Sequence, residues 1–327
     1  MDMANDPSTL AGPLSDSVQP EIKALVAAEI PDVIPSTLFE GSARRKLFVT
    51  HPFRVLSLGA GLDSTTLILL SEHGELPRLD AAIFADTQAE PQYVYNTLKW
   101  LTSAVSIPIY RVTAGNLETA VLDAAQHMDK RLSAGHVGQP PFFVKNVPNV
   151  NYATAVSGGT LWRKCTHDFK IVPIRRKVRE LLGVKAVGRL PNGVHVEQWI
   201  GFTKDDLGRT FCSDVKWITN VFPMILPLQM SRRDCASWLE AHGYPIPQKS
   251  SCVFCPFHRN AYWVDMRDNR PDEWHRAVQF EARLQQGHLP GVRGIPYLHR
   301  SMVPLPMAPI DALDGGTPEL FCLACNT

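Results

Sequence analysis

Arg54-Val-Leu-Ser57-Leu-Gly59-Ala60-Gly61-Leu-Asp63-Ser64-Thr65 decides the fold of this chain. Its first half is a short apolar run of strand type, which breaks into a glycine turn and then an acid and two hydroxyls. Leu67, Ile68, Leu69 and Leu70 follow at once and read as the buried face of a helix. A strand that enters a helix through such a turn leaves backbone N–H groups unpaired at the positive end of the helix dipole. That is an anion site, most often a phosphate site. Ser64 and Thr65 add hydroxyl donors without adding charge. No Gly-Lys-Ser/Thr follows the strand, which excludes a P-loop kinase.

A regular alternation extends from this turn. Strands are predicted at Arg54–Gly59, Leu79–Asp86, Ile107–Val112 and Val196–Phe202. Helices are predicted at Ser64–His73, Pro91–Ala104, Leu117–Ala125 and Phe169–Leu182. Strand–helix alternation at this spacing implies an α/β fold, a parallel sheet with helices on both faces. Residues 129–160 carry Gly, Pro and Asn without periodicity and read as a long loop near the site. Ser231 caps a helix that runs through His242, and Asp272–Gln285 is the last clear helix. Residues 1–50, rich in Pro, Ser and Ala, read as an N-terminal extension with one short helix at Glu21–Glu29. The expected organisation is therefore extension 1–50, nucleotide-binding domain 51–215, and a smaller, mostly helical region 216–327 that carries cysteine motifs.

A chain of 327 residues is long enough for one sizeable α/β domain and a smaller companion. The net charge of +1 provides no global field to recruit nucleic acid or an anionic membrane, so any polyanion is held by a local patch. No apolar run reaches membrane-spanning length, and the first residues lack the basic and apolar segments of a leader. A cytoplasmic location is expected, where thiols stay reduced. Seven cysteines there point to metal or redox chemistry more than to disulfides.

Cys252-Val-Phe-Cys255 is the strongest metal signal, because two thiolates at this spacing reach one zinc ion or one iron–sulfur cluster. Cys322-Leu-Ala-Cys325 forms a second pair near the C-terminus, and the two together would make a zinc knuckle. Cys212 and Cys235 read as small core residues. Arg163, Lys164, Lys170, Arg175, Arg176, Lys177 and Arg179 face one acid, Asp168. They form either a solvated helix face or a clamp for an anion. Gly201 ends a strand on the ligand edge of the sheet, followed by Asp205, Asp206 and Arg209; an acid there suits Mg2+ and Arg209 a phosphate or sulfate. Tyr262, Trp263, Trp274 and Phe280 read as the core of the smaller region.

Two motifs compare with Gly59–Ser64. A Rossmann fingerprint requires a third glycine where Ser64 stands, and places the Asp63 charge against a pyrophosphate. The loop resembles more closely the Ser-Gly-Gly-x-Asp-Ser loop of the adenine nucleotide alpha-hydrolase (PP-loop) superfamily. It matches at Gly61, Asp63 and Ser64, and departs at Gly59 and Ala60, with Ser57 a candidate replacement hydroxyl. Arg163-Lys-Cys165-Thr-His-Asp-Phe-Lys170-Ile-Val-Pro173 resembles the Cys-Cys-x-x-Arg-Lys-x-x-Pro segment of adenylyl-sulfate reductases. Cys165, Lys170 and Pro173 align with it, while Thr166 and Phe169 depart from it. A later Cys-x-x-Cys and a cysteine-bearing tail complete the likeness to the adenylyl-sulfate and phosphoadenylyl-sulfate (PAPS) reductase family over residues 54–327. One lone cysteine with one Cys-x-x-Cys is also similar to the cluster set of tRNA two-thiolating enzymes of this superfamily.

The resemblance implies a PP-loop ATP pyrophosphatase (HUP-like) fold with ATP and Mg2+ as cofactors. Ser57, Gly59, Ala60, Gly61, Asp63, Ser64, Thr65, Asp86, Thr87 and Gly201 would bind the nucleotide. Cys165, Cys252, Cys255 and Cys322 would hold a 4Fe-4S cluster, with Zn2+ the alternative. The implied catalytic set is Asp63, Lys170, Arg209 and Cys325. Two chemistries follow. One is ATP-dependent adenylation of an acceptor, with sulfur transfer from a cysteine desulfurase or another donor to RNA, DNA or a metabolite. The other is reduction of a sulfonucleotide to sulfite with a thiol reductant, in an enzyme often a homo-oligomer. Retention of Asp63 and Ser64 favours the first, since enzymes that cut no pyrophosphate generally lose both. A zinc-stabilised nucleotide-binding module is the non-enzymatic alternative.

Overall fold

The strand that opens the deciding stretch forms at Phe53–Leu58 (β1), with alternate residues serving opposite faces of a sheet. This is seen in a computed structural model that describes residues 52–126, 138–146, 158–185, 188 and 190–312. The extension 1–50, its short helix, and Cys322 and Cys325 of the tail lie outside the described residues. Helix α1 (Leu62–Glu72), strand β2 (Ala81–Asp86), helix α2 (Gln92–Ala104), strand β3 (Ile109–Thr113) and helix α3 (Leu117–Gln126) follow, each within two residues of the predicted bounds. Strands β4 (Phe143–Lys145) and β5 (Gly158–Thr160) fall in the stretch read as loop. Next come helix α4 (Val172–Leu181), strands β6 (Val196–Ile200) and β7 (Ile218–Val221), and helices α5 (Arg232–Ala241), α6 (Asn260–Asn269) and α7 (Pro271–Gln286). Strand β8 (Ile295–Tyr297) is the last.

The main sheet has the order β3-β2-β1-β6-β7, and every pairing is parallel. It takes in β7, past residue 215. The chain works outward from β1 to β3 and then returns to the other side of β1 as β6. The strand order therefore reverses between β1 and β6, and the crevice beyond their C-terminal ends is where such sheets bind ligands. Leu56, Leu58, Ala82, Phe84 and Trp199 pack on one face with α1, α2 and Leu239 of α5. Val55, Ala81, Ile83, Val196 and Ile218 pack on the other with Ile174 and Val178 of α4. Burying both faces explains why β2 is buried throughout.

A third core joins Leu117 and Val121 of α3 to Phe142, Phe169 and Phe254, Trp263 and Met266 of α6, and Phe280 and Leu284 of α7. Phe254 stacks on Phe280 with ring centroids 4.0 Å apart. Tyr262 and Trp274 pack against this core, so the aromatic residues of the smaller region are indeed core. The antiparallel sheet β5-β4-β8 lies beside it. Cys235 is buried as read, whereas Cys212 is exposed and the core role assigned to it is corrected. Among the described residues, no helix is long and apolar enough to cross a membrane.

The helix predicted from Phe169 begins earlier, through a π-turn over His167–Ile171, where the Val172 N–H reaches back to the His167 carbonyl. Pro173 explains the irregularity. It carries no N–H for the carbonyl four residues before it, and a widened turn absorbs the mismatch.

Candidate active site

Gly59-Ala60-Gly61 turns the chain from β1 into α1. Ala60 takes a left-handed φ of 55°, the conformation a glycine would hold at that position without strain. Gly61 caps α1 with no side-chain hydrogen bond to its first turn, so that turn's N–H groups have no side-chain partner. The Gly59 N–H is taken by Ser64 Oγ at 3.2 Å. Buried Thr65 Oγ1 has no partner, and Ser57 is half-buried at the C-terminal end of β1. Gly201 acts by absence of bulk: a Cβ there would lie 2.9 Å from the Ser64 backbone nitrogen. It lets the end of β6 pass against α1.

Asp63 points into the crevice. Arg232 Nε lies 3.5 Å from its Oδ2, while Oδ1 is buried without a partner. Burial pushes its pKa up to about 6, against the opposing pull of Arg232. The acids offered for Mg2+ are otherwise engaged. Arg232 Nη2 donates to both oxygens of buried Asp206 at 2.7 and 2.8 Å, and Arg209 Nη1 donates to Asp206 Oδ1 at 2.7 Å. Asp205 accepts the Arg232 backbone N–H. Asp86, read as a partner of Asp63, accepts from Arg111, Tyr95 Oη and the Gln88 N–H. Among these acids Asp63 is the one with a buried oxygen that has no partner. That suits Mg2+, which is commonly held by one or two carboxylates together with substrate phosphates. Arg209, read as a phosphate or sulfate contact, is held by Asp206 and lies over the Phe202 ring.

The structure brings the thiols to the same crevice. Thr87 Oγ1 lies 3.3 Å from Cys252 Sγ and 3.3 Å from Glu90 Oε1, and Lys170 Nζ donates to Glu90 Oε1 at 3.4 Å. Thr87 is therefore engaged by Cys252 and Glu90 rather than set against the loop. The Glu90 carboxylate raises the Lys170 pKa, keeping the ammonium charged beside Cys252 and Cys165. Burial pushes the Cys252 thiol well up, and Cys255 and Glu90 add to that. Cys165 is likewise raised by burial and feels Cys255, with Arg163 and Lys170 opposing. Cys255 therefore lies within electrostatic reach of both Cys252 and Cys165. Among the described residues no three His, Cys, Asp or Glu side chains are grouped as for a single metal ion. One zinc ion draws its sulfurs to within roughly 4 Å of each other. Three thiols with the half-buried Lys170 ammonium alongside fit a thiolate-held iron–sulfur group, whose ligands are spread more widely. Cys322, the fourth predicted ligand, and Cys325 lie outside the described residues.

The basic stretch after Cys165 divides. Arg175 pairs with Asp214, Lys177 with Glu180, and Arg179 donates to the Lys185 and Gly188 carbonyls. These three side chains are thus engaged by protein partners, and Arg176 is exposed. His167 is exposed and bonded to Asp168.

Three residues escaped the sequence reading. Arg232 sits in the Ser231 capping box of α5, where Ser231 and Asp234 cap each other, and it reads there as surface. Glu90 follows β2 with no motif around it. Ser250 covers the turn, since a Cβ on Gly61 would lie 2.9 Å from Ser250 Oγ. The Ser-Ser-Cys run at 250–252 was the available signal, because it ties the thiol pair to whatever the turn binds.

No family model matches the chain, and no curated protein matches it. It is similar in part to two solved structures. One is a PAPS reductase from Candida auris in a phosphate complex, with a TM-score of 0.35 and 12% identity over 61% of this chain and 77% of that one. The other is the U34-tRNA thiolase NcsA from Methanococcus maripaludis with its 4Fe-4S cluster, with a TM-score of 0.33 and 12% identity over 72% of this chain and 75% of that one. Likeness at this level does not bear on the chemistry of the site, which is read from its own geometry.

Proposed function

We propose that this chain is a PP-loop nucleotide enzyme that cleaves ATP between its α- and β-phosphates, adenylates an acceptor and then exchanges the adenylate for sulfur. The observation that carries this reading is Asp63, with a buried, unpartnered oxygen beside the uncapped first turn of α1 at the switch point of the sheet. An acceptor oxygen attacks the α-phosphorus, and the bond to the bridging oxygen breaks. Pyrophosphate leaves with that electron pair. The N–H groups of the α1 first turn and the Ser57 hydroxyl would hold phosphate oxygens, and Asp63 would hold Mg2+ against them. In the second half a sulfur nucleophile displaces AMP from the acceptor.

Cys165, Cys252 and Cys255 would hold an iron–sulfur group, which would supply a carrier for sulfide. Lys170, fixed by Glu90, offsets the thiolate charge that such ligation creates. The sulfur donor and an RNA, DNA or metabolite acceptor are the partners this chemistry requires.

Pyrophosphate release from ATP, measured on anaerobically purified protein with iron, sulfide and zinc determined in the same sample, tests the reading. Asp63→Ala is expected to reduce release at least a hundredfold with metal content unchanged. Sulfite from adenylyl sulfate, with no pyrophosphate from ATP, would establish the reductase chemistry instead.

A further inference from the structure

Glu90 stands in the connection between β2 and α2, where an acid would ordinarily favour the start of the helix. Its carboxylate is used otherwise. Helix α2 has no side-chain cap at Pro91, and the Gln92 N–H is taken by Glu273 at 3.0 Å. The Glu90 side chain turns inward instead and is 2% exposed.

What it meets there is the thiol site. The Cys252 thiol donates to Oε1 at 3.8 Å, Thr87 Oγ1 at 3.3 Å and Lys170 Nζ at 3.4 Å. The Val253 N–H donates to the Ala89 carbonyl at 2.8 Å, so the residue after Cys252 is fastened to the residue before Glu90. The carboxylate is therefore held against the cysteine turn by backbone as well as by side chains. All three contacts fall on one oxygen. Oε2 is buried and has no partner. A bare carboxylate oxygen inside a protein is costly, and an ion that completes its environment is one of the few things that accounts for it. Lys170 does not complete it, because its long contact is to Oε1 and its side chain is 37% exposed.

We propose that Glu90 is the fourth ligand of the iron–sulfur group, binding one iron through Oε2 beside the thiolates of Cys165, Cys252 and Cys255. This inference rests on the iron–sulfur part of the reading above. It gives the bare oxygen a partner and leaves Oε1 with Lys170. A carboxylate is a harder ligand than a thiolate and suits iron in a sulfur environment less well, so this corner is the one most readily exchanged. When sulfide takes the place of Glu90, it brings its own electron pair, and the carboxylate leaves as the anion with Lys170 as its counter-ion. No electron is gained or lost in that exchange.

Mössbauer spectra, and electron–nuclear double resonance of the reduced protein in light and heavy water, test the assignment on full-length, anaerobically purified protein of known iron and sulfide content. Wild type is expected to show one iron with an oxygen ligand that carries no exchangeable proton. In Glu90→Ala that iron is lost, or gains the exchangeable protons of bound water. Glu90→Cys is expected to retain every iron with thiolate ligands only, an outcome that a residue merely supporting Lys170 would not produce. Cys322→Ser should leave the wild-type spectra unchanged. A wild-type cluster whose irons all carry sulfur ligands, or whose distinct iron binds water, overturns the proposal alone, and the wild-type spectra decide this even where a variant fails to fold. Loss of one iron in Cys322→Ser with Glu90→Ala unaffected overturns it as well. A wild type without iron and sulfide removes the iron–sulfur reading and this proposal together.

Discussion

Asp63 shows how one side chain carries function against stability. Its folded pKa of about 6 lies above an ordinary 3.8. Folding therefore takes up a proton between these values, and stability falls as pH rises through this window. The full penalty, present above about pH 6, is on the order of 3 kcal/mol. Asp63→Asn is expected to unfold at higher denaturant than wild type at pH 7.5, with the two curves converging below about pH 4, while pyrophosphate release is lost. A stability difference that does not vary with pH would show that the carboxylate charge is not the cause. Asp63 was legible because an acid after a glycine turn is chemically conspicuous. Its partner Arg232 was not legible, because a residue in a capping box gives no sign of which way its side chain turns. Asp86 was misjudged for a related reason: its position at a strand end suited a metal, but Arg111 on the adjacent strand neutralises it.

At the scale of elements, periodicity served well wherever a segment was long enough to show it. The strands β1, β2, β3 and β6 and the helices α1 to α5 lie close to where their patterns place them. The missed strands were short. Three-residue strands such as Phe143–Lys145 have no measurable period, and Ile218–Val221 is too short to stand apart from the prolines that follow it. Helix α6 is defined by Trp263 and Met266 facing a core that only the fold creates. The crossing of β6 and α1 is the element-level contact on which the site depends. Gly201→Ala would place a methyl group 2.9 Å from the Ser64 nitrogen, which is backbone and cannot swing aside. The expected effect is about 1–3 kcal/mol of destabilisation and a loss of nucleotide affinity. Gly208→Ala, with open space around its Cβ position, is the control, and chemical denaturation with ATP titration distinguishes them.

For the whole molecule, the α/β class and a helical, cysteine-bearing second half were legible, because composition and alternation average over many residues. What one-dimensional reading did not provide was the third core, in which α3 from the first half packs with α6 and α7 from the second. Phe254, between the paired cysteines, is fully buried there against Phe280. Phe280→Ala is expected to remove about 3–5 kcal/mol. Under the iron–sulfur proposal it should also lower iron retention, since the ring beneath the Cys252–Cys255 turn is lost. Denaturation monitored by tryptophan fluorescence together with iron analysis checks both, and full iron in a destabilised variant would separate the turn from the core. The same shared packing determines how this protein can be dissected. A piece ending at residue 215 would lack the outermost rung beside β6 and leave Leu117, Val121, Phe142 and Phe169 bare, a sticky surface in water. Neither half has a clean seam along which it could be excised, so biochemistry on this chain is best done with both present.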